Sequence, residues 1–170
     1  MLWVIVAARQ PSSGQRPART ADGAGQPVDA PYTYRGMPVF KTGEFLAIGH
    51  MTYKVHESWY AGRLSSNTYL NRPPDATYLF VSVSVGNNDK EERAVPPFKL
   101  VDENGAEYGA SDKAWAAEGS IGLLHDLNPG VSKSGYVIFD VPTNHQYMLK
   151  VSGGFWSTEN AVVKLGPKFR

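Results

Sequence analysis

The sequence predicts an all-β fold: a sandwich of about seven to eight antiparallel strands preceded by a disordered N-terminal tail. Three observations carry this expectation. Apolar residues alternate with polar ones at a period of two along much of the chain. Seventeen Gly and 12 Pro interrupt those runs at short intervals. There is no long amphipathic helix, internal repeat or βαβ alternation, while 4 Trp, 9 Tyr and 7 Phe supply residues suited to pleated surfaces.

The strands follow in order. Phe45–Ile48 is a short apolar candidate. In Met51–Trp59 the odd positions Met51, Tyr53, Val55 and Trp59 share a face, interrupted only by Glu57, so Trp59 is expected to point into the core. In Thr77–Val85, Leu79, Val81, Val83 and Val85 lie opposite Ser82 and Ser84. Phe98–Val101 and Ile121–Leu127 are shorter candidates. Gly135–Val141 places Val137, Phe139 and Val141 on one face, and Tyr147–Val151 does the same with Tyr147, Leu149 and Val151. Ala161–Leu165 closes the series. Asn104-Gly105 suits a tight hairpin, and Asn128-Pro129-Gly130 has Pro and Gly where a type II turn needs them. One helical turn is expected over Lys113–Glu118, capped by Ser111 or Asp112 and stopped by Gly119.

The organisation has three parts. Residues 1–8, Met-Leu-Trp-Val-Ile-Val-Ala-Ala, are apolar but far short of the roughly 20 residues that span a bilayer. They resemble the end of a signal or anchor segment without its basic start, and the expectation is a membrane tether through the N-terminus. Residues 9–31 are rich in Pro, Gly, Ala, Arg, Gln and Asp, with Val28 as their one large aliphatic, and read as a flexible linker. Residues 32–170 hold the folded domain, long enough for one sizeable core. From Tyr32 onward 14 basic and 14 acidic residues balance. No basic stripe marks a nucleic-acid partner, and the cluster Asp89-Lys90-Glu91-Glu92-Arg93 has mixed signs, as a solvated loop does. The chain has no cysteine, which excludes disulfides, thiolate metal sites and a lipid-modified cysteine.

The ordered set of motifs resembles a known family. Tyr78-Leu-Phe-Val-Ser-Val-Ser-Val-Gly-Asn87-Asn88 is a long strand ending in Asn, followed by Pro97-Phe98-Lys-Leu100-Val-Asp102-Glu-Asn-Gly105-Ala-Glu-Tyr108. Leu127-Asn-Pro129-Gly130, Gly135-Tyr-Val-Ile-Phe139-Asp140-Val-Pro142 and Tyr147-Met-Leu149-Lys-Val151 complete it. Over residues 46 to 166 this is similar to the telokin-like, immunoglobulin-like bacterial family of unknown function grouped with the immunoprotective extracellular proteins. The resemblance implies an Ig-like sandwich, secreted or anchored outside a bacterial membrane, with no established catalytic residues. It implies that Phe98, Leu100, Phe139 and Val141 fill the core, that Gly105 and Gly130 serve turns, and that Asp140 and Pro142 close a strand edge.

Candidate chemical sites are sparse. His50, His56, His125 and His145 lack metal-ligand spacing, and no convergent zinc set is nominated. His125 shares the parity of Ile121, Leu123 and Leu127, as a core or edge histidine would. Gly119-Ser120-Ile121-Gly122 is not a nucleophile elbow, because its first Gly adjoins the Ser. Asp102-Glu-Asn104-Gly105 has its Gly in the wrong place for a calcium loop and reads as a hairpin tip. Glu91, Glu92, Asp102, Glu103 and Glu107 could furnish a carboxylate pair only within a cleft. The expectation is therefore no cofactor, no metal and no catalytic residue.

Aromatic residues are the stronger lead. Tyr60, Trp115, Phe155 and Trp156 are the candidate interaction surface, with Gly153-Gly154 beside the last two. The expected function is a non-catalytic extracytoplasmic module that contacts an envelope or extracellular protein. A glycan-binding sandwich is the alternative and requires two or more of those rings coplanar and exposed; a small hydrolase requires a nucleophile–base pair or two facing carboxylates in a pocket.

Overall fold

The computed structural model describes residues 32–121 and 126–170. The apolar segment, the linker and His125 lie outside the described residues. The strands are β1 Thr33–Tyr34, β2 Met37–Lys41, β3 Phe45–Ile48, β4 Met51–Ala61, β5 Tyr78–Asn87, β6 Arg93–Ala94 and β7 Lys99–Asp102. They continue with β8 Glu107–Gly109, β9 Asp126–Leu127, β10 Ser132–Asp140, β11 Tyr147–Ser152, β12 Asn160–Lys164 and β13 Lys168–Phe169. A 3-10 turn, Asp112–Ala116, lies between β8 and β9, and Ser111 caps it by accepting from the Lys113 amide. The eight predicted strands are all present in whole or part; the remaining five include four of two or three residues, too short to show a period. Of Ile121–Leu127, Asp126–Leu127 is strand and residues 122–125 lie outside the described residues.

Two sheets pack face to face. One has the order β1-β2-β12-β11-β7-β8; the other runs β10-β5-β4-β13, with β3 on the first half of β4. β2 pairs β12 and β13 pairs β4 in parallel; the other pairings are antiparallel. The core lies between the sheets, where Tyr53, Val55, Val81, Val83, Val137 and Phe139 meet Leu100, Leu149, Val151, Ala161 and Val163. Leu100, Phe139 and Val141 are fully buried and Phe98 packs against them, as the resemblance implies. A smaller cluster on the outer face of the second sheet joins Tyr78, Phe80 and Ile138 to Leu64 and to Ala114, Ala116 and Ala117 around the 3-10 turn.

The expected inward orientation of Trp59 is corrected. β4 and β5 lose one step of register between Val55 and Glu57, leaving His56 as the extra residue of a β-bulge. One added residue swaps the faces of everything beyond it. Met51, Tyr53 and Val55 face the core before the bulge; Ser58 and Tyr60 are the buried residues after it. Trp59 instead lies half-buried on the outer face, stacked on Phe80 at 5.3 Å and edge-on to Tyr136 at 5.5 Å. The Arg170 guanidinium covers its ring at 4.3 Å.

The turns follow their residue chemistry. Val131 N–H donates to Asn128 O at 3.0 Å and Gly130 has φ +73°, completing the type II turn. In the β7–β8 hairpin Gly105 alone of the Asn-Gly pair takes positive φ, +91°. Asp102 Oδ1 accepts from the amides of Asn104 and Ala106, so the acidic residue at the start of the turn holds it closed. Asp140 accepts from the amides of Asp75 and Ala76, tying the chain entering β5 to the end of β10.

Candidate interaction surface

β4 begins at one end of the sandwich and finishes at the other, about 30 Å away at strand rise. Each end carries a cleft. The first, of about 830 Å³, is lined by Gly49, His50, Arg93, Phe155, Trp156 and Glu159 among others. Its aromatic wall is the loop between β11 and β12. His50 N–H donates to Gly153 O at 2.9 Å, Gly153 N–H to Glu159 O at 3.0 Å and Ser152 Oγ to Gly154 O at 2.9 Å. Tyr53 OH reaches across the sandwich to Ser152 O at 2.7 Å, and its burial pushes its pKa up strongly, so it remains a neutral donor. On this anchored base Trp156 is 91% exposed and Phe155 48%, their rings 5.3 Å apart at 70°.

The other wall is polar. Asn87, buried at the end of β5, donates from Nδ2 to Glu91 O and Leu127 O, each at 2.7 Å, and accepts from the Asp89 amide at 2.8 Å. That fully partnered amide shapes the 88–93 loop. Asp89 accepts from the Lys90 amide and from Arg93 Nε at 2.6 Å, with His50 Nδ1 at 3.3 Å. The Lys90 amide and the Arg93 side chain hold its carboxyl below the usual range.

The second cleft, about 590 Å³, is lined by Tyr32, Tyr34, Tyr60, His145, Lys164 and Phe169 among others. Beside it stand Asp102 and Glu103 of the β7–β8 turn and His145 of the loop before β11. His145 Nδ1 lies 3.1 Å from Glu103 Oε1 and 3.8 Å from Asp102 Oδ2. Asp102 is 2% exposed. Burial pushes its carboxyl up, but hydrogen bonds from the Ala106 amide, the Tyr108 hydroxyl and the Asn104 and Gly105 amides outweigh it and hold the group low.

The four predicted aromatics do not form one surface. Phe155 and Trp156 come together at the first cleft. Trp115, 66% exposed on the 3-10 turn, lines neither cleft. The expectation of a surface Tyr60 is corrected: the bulge turns it inward, it is 4% exposed, and only an edge of it reaches the second cleft. The steep angle between Phe155 and Trp156 gives no flat platform for a sugar ring. Ser84 Oγ and His56 Nε2 are 2.7 Å apart, but Ser84 also contacts Ser134 Oγ at 2.6 Å, and the pair lies on an open sheet face outside both clefts. Sequence reasoning missed the Asp102–Glu103–His145 grouping. It depends on β7 lying beside β11, with Asp102 opposite Tyr147, a pairing that spacing along the chain does not reveal.

Comparison with known proteins agrees with this architecture. A search of curated protein sequences finds no significant match. Among solved structures the chain is similar to the yjhA protein from Bacillus subtilis (TM-score 0.57, 19% identity, covering 75% of this chain and 99% of that one). It is also similar to a conserved hypothetical protein from Bacillus anthracis (0.55, 16%, 74% and 95%) and to MPT63, a secreted protein from Mycobacterium tuberculosis (0.53, 17%, 77% and 98%). At these identities the likeness establishes the fold. Residues 40–162 match the model of the family described as domain of unknown function DUF4352, and with most of its folded part so matched the chain belongs to that family, with an Ig-like β-sandwich fold.

Proposed function

We propose that this chain is a non-catalytic extracytoplasmic module that works by protein–protein contact through the Phe155–Trp156 loop. The observation that carries this reading is the presentation of Trp156. A 91% exposed indole stands on a loop whose base is anchored by the Gly49–Gly153 contact. Large rigid aromatics of this kind dominate interface energetics, because burying them costs little side-chain entropy. Polar groups of Arg93, His50 and Glu159 around the cleft supply the rim that gives such a contact its register. The secreted nature of MPT63 and the apolar start of the sequence support a site of action outside the cytoplasm.

The test uses the full-length protein as bait in envelope extract of its own cells, after fractionation has located it. Wild type retains a partner that Phe155→Ala and Trp156→Ala lose at least tenfold, while Trp115→Ala retains it. Loss with Trp115→Ala but not with the loop variants overturns the reading, as does recovery of the protein solely in the cytoplasmic fraction.

A further inference from the structure

The grouping beside the second cleft has the makings of a metal site. We propose that Asp102, Glu103 and His145 bind a divalent transition-metal ion of the zinc class, with one coordination position opening towards the tyrosine-lined cleft. The ligand atoms, two carboxylate oxygens and one imidazole nitrogen, all lie within 4.8 Å of one another. Zinc bonds to oxygen and nitrogen at roughly 2.0–2.2 Å, which sets neighbouring ligands about 3–4 Å apart. The separations of 3.1 and 3.8 Å from His145 Nδ1 are of that size.

The carboxylates are aimed by their surroundings. Asp102 commits Oδ1 to the Asn104 and Ala106 amides, which leaves Oδ2 turned towards His145, with Tyr108 OH donating to it at 3.1 Å. Glu103 commits Oε2 to the Gln146 amide at 2.9 Å, which leaves Oε1 facing the same imidazole. One oxygen of each acid is thus committed to backbone amides and the other converges, an arrangement by which outer hydrogen bonds orient metal ligands. Charge points the same way. Among the described residues neither acid is salt-bridged by Lys or Arg, and the two share one imidazole as their sole ionic partner. A divalent cation neutralises both carboxylates with the imidazole neutral, as its ligand role requires. A mixed N/O set of three favours zinc over calcium, which takes six to eight oxygens. Its three protein ligands leave room for water or a ligand group from the cleft.

The experiment dialyses the full-length protein against chelator and titrates ZnCl2, then CaCl2 and MgCl2, by calorimetry, with melting curves run in parallel. One zinc per chain is expected, with a higher Tm and little response to calcium or magnesium. His145→Ala and Glu103→Gln should each weaken zinc at least tenfold, while His56→Ala, a histidine on the exposed sheet face, leaves it unchanged. X-ray absorption at the zinc edge of the wild-type complex keeps the assignment testable if a variant fails to fold, because it should show one imidazole among oxygen ligands. Absence of zinc binding, binding unaffected by His145→Ala and Glu103→Gln, a calcium preference, or a two-histidine spectrum would each overturn the proposal.

Discussion

Gly49 and Gly153 join the two sheets by direct backbone contact: a Cβ on Gly49 would stand 2.5 Å from the carbonyl oxygen of Gly153, and one on Gly153 2.9 Å from the Gly49 Cα. Gly49 also has φ +52°, which disfavours any side chain there. Gly49→Ala should therefore destabilise the protein by about 2–4 kcal/mol through clash and backbone strain. Gly154→Ala, whose nearest neighbour would be 3.8 Å away, serves as the comparison and should change stability little. Urea denaturation of the three proteins decides it. Equal effects at Gly49 and Gly154 would show that close approach does not govern this end.

Among the described residues the core holds one polar flaw. Ser58 Oγ is buried without a hydrogen-bond partner, on the inward face that the bulge gives to Ser58 and Tyr60. An orphaned buried hydroxyl retains its desolvation penalty and gains nothing for it. Ser58→Ala should stabilise by about 1 kcal/mol, seen as a higher urea midpoint at unchanged slope. A lower midpoint would mean that the hydroxyl has a partner in solution, such as a bound water.

Alternation alone located the strands, and it failed where one residue was inserted. Counting by twos through Met51, Tyr53 and Val55 predicts Trp59 inside; His56 breaks the count, and the local sign of it, Glu57 at an inward parity, marks an interruption without specifying a change of face. The turns were legible because Pro129-Gly130 and Gly105 have backbone needs that identify them. The Phe155–Trp156 loop was legible through its aromatics beside paired glycines. The Asp102–Glu103–His145 grouping was not, because it arises from non-local pairing of β7 with β11. The bulge makes a clear prediction in turn. Tyr60→Ala removes a core ring and should cost about 3–5 kcal/mol. Trp59→Ala removes a half-solvated one and should cost clearly less. Reversal of that order by denaturation would remove the bulge.

Acid should weaken the first cleft. Asp89 is held below the usual carboxylate range by the Lys90 amide and Arg93, so its folded pKa is lower than its unfolded one. A depressed carboxyl contributes stability that is present above the unfolded value, about 3.9, and lost as pH falls through the folded value. Stability should therefore be flat near neutrality and fall below about pH 4. Asp89→Asn should lower stability at pH 7 and flatten the acid limb. Denaturation midpoints at steps between pH 2 and 7 test both, and an unchanged acid slope in the variant would contradict the assignment.

The exposed side of β10 is kept from pairing with other chains by a strap, and Gly135 makes room for it. Tyr136 N–H donates to Gly119 O and Ile121 N–H to Tyr136 O, both at 2.9 Å, and Ser111 N–H donates to Ile138 O at 2.8 Å. These bonds occupy backbone groups that a nine-residue edge strand would otherwise offer to another molecule. A Cβ on Gly135 would meet Gly119 O at 2.5 Å and Ile121 Cγ1 at 2.6 Å. Gly135→Ala should thus lift the strap without disturbing the β5 pairing on the other side, at a cost of about 1–3 kcal/mol. Hydrogen exchange should then quicken at Tyr136 and Ile121 but not at Val81 or Val83. The freed edge should also raise the concentration-dependent fraction of dimer and aggregate in light scattering. A variant that stays monomeric with unaltered protection at Tyr136 would show that the edge is closed by something other than residues 111–121.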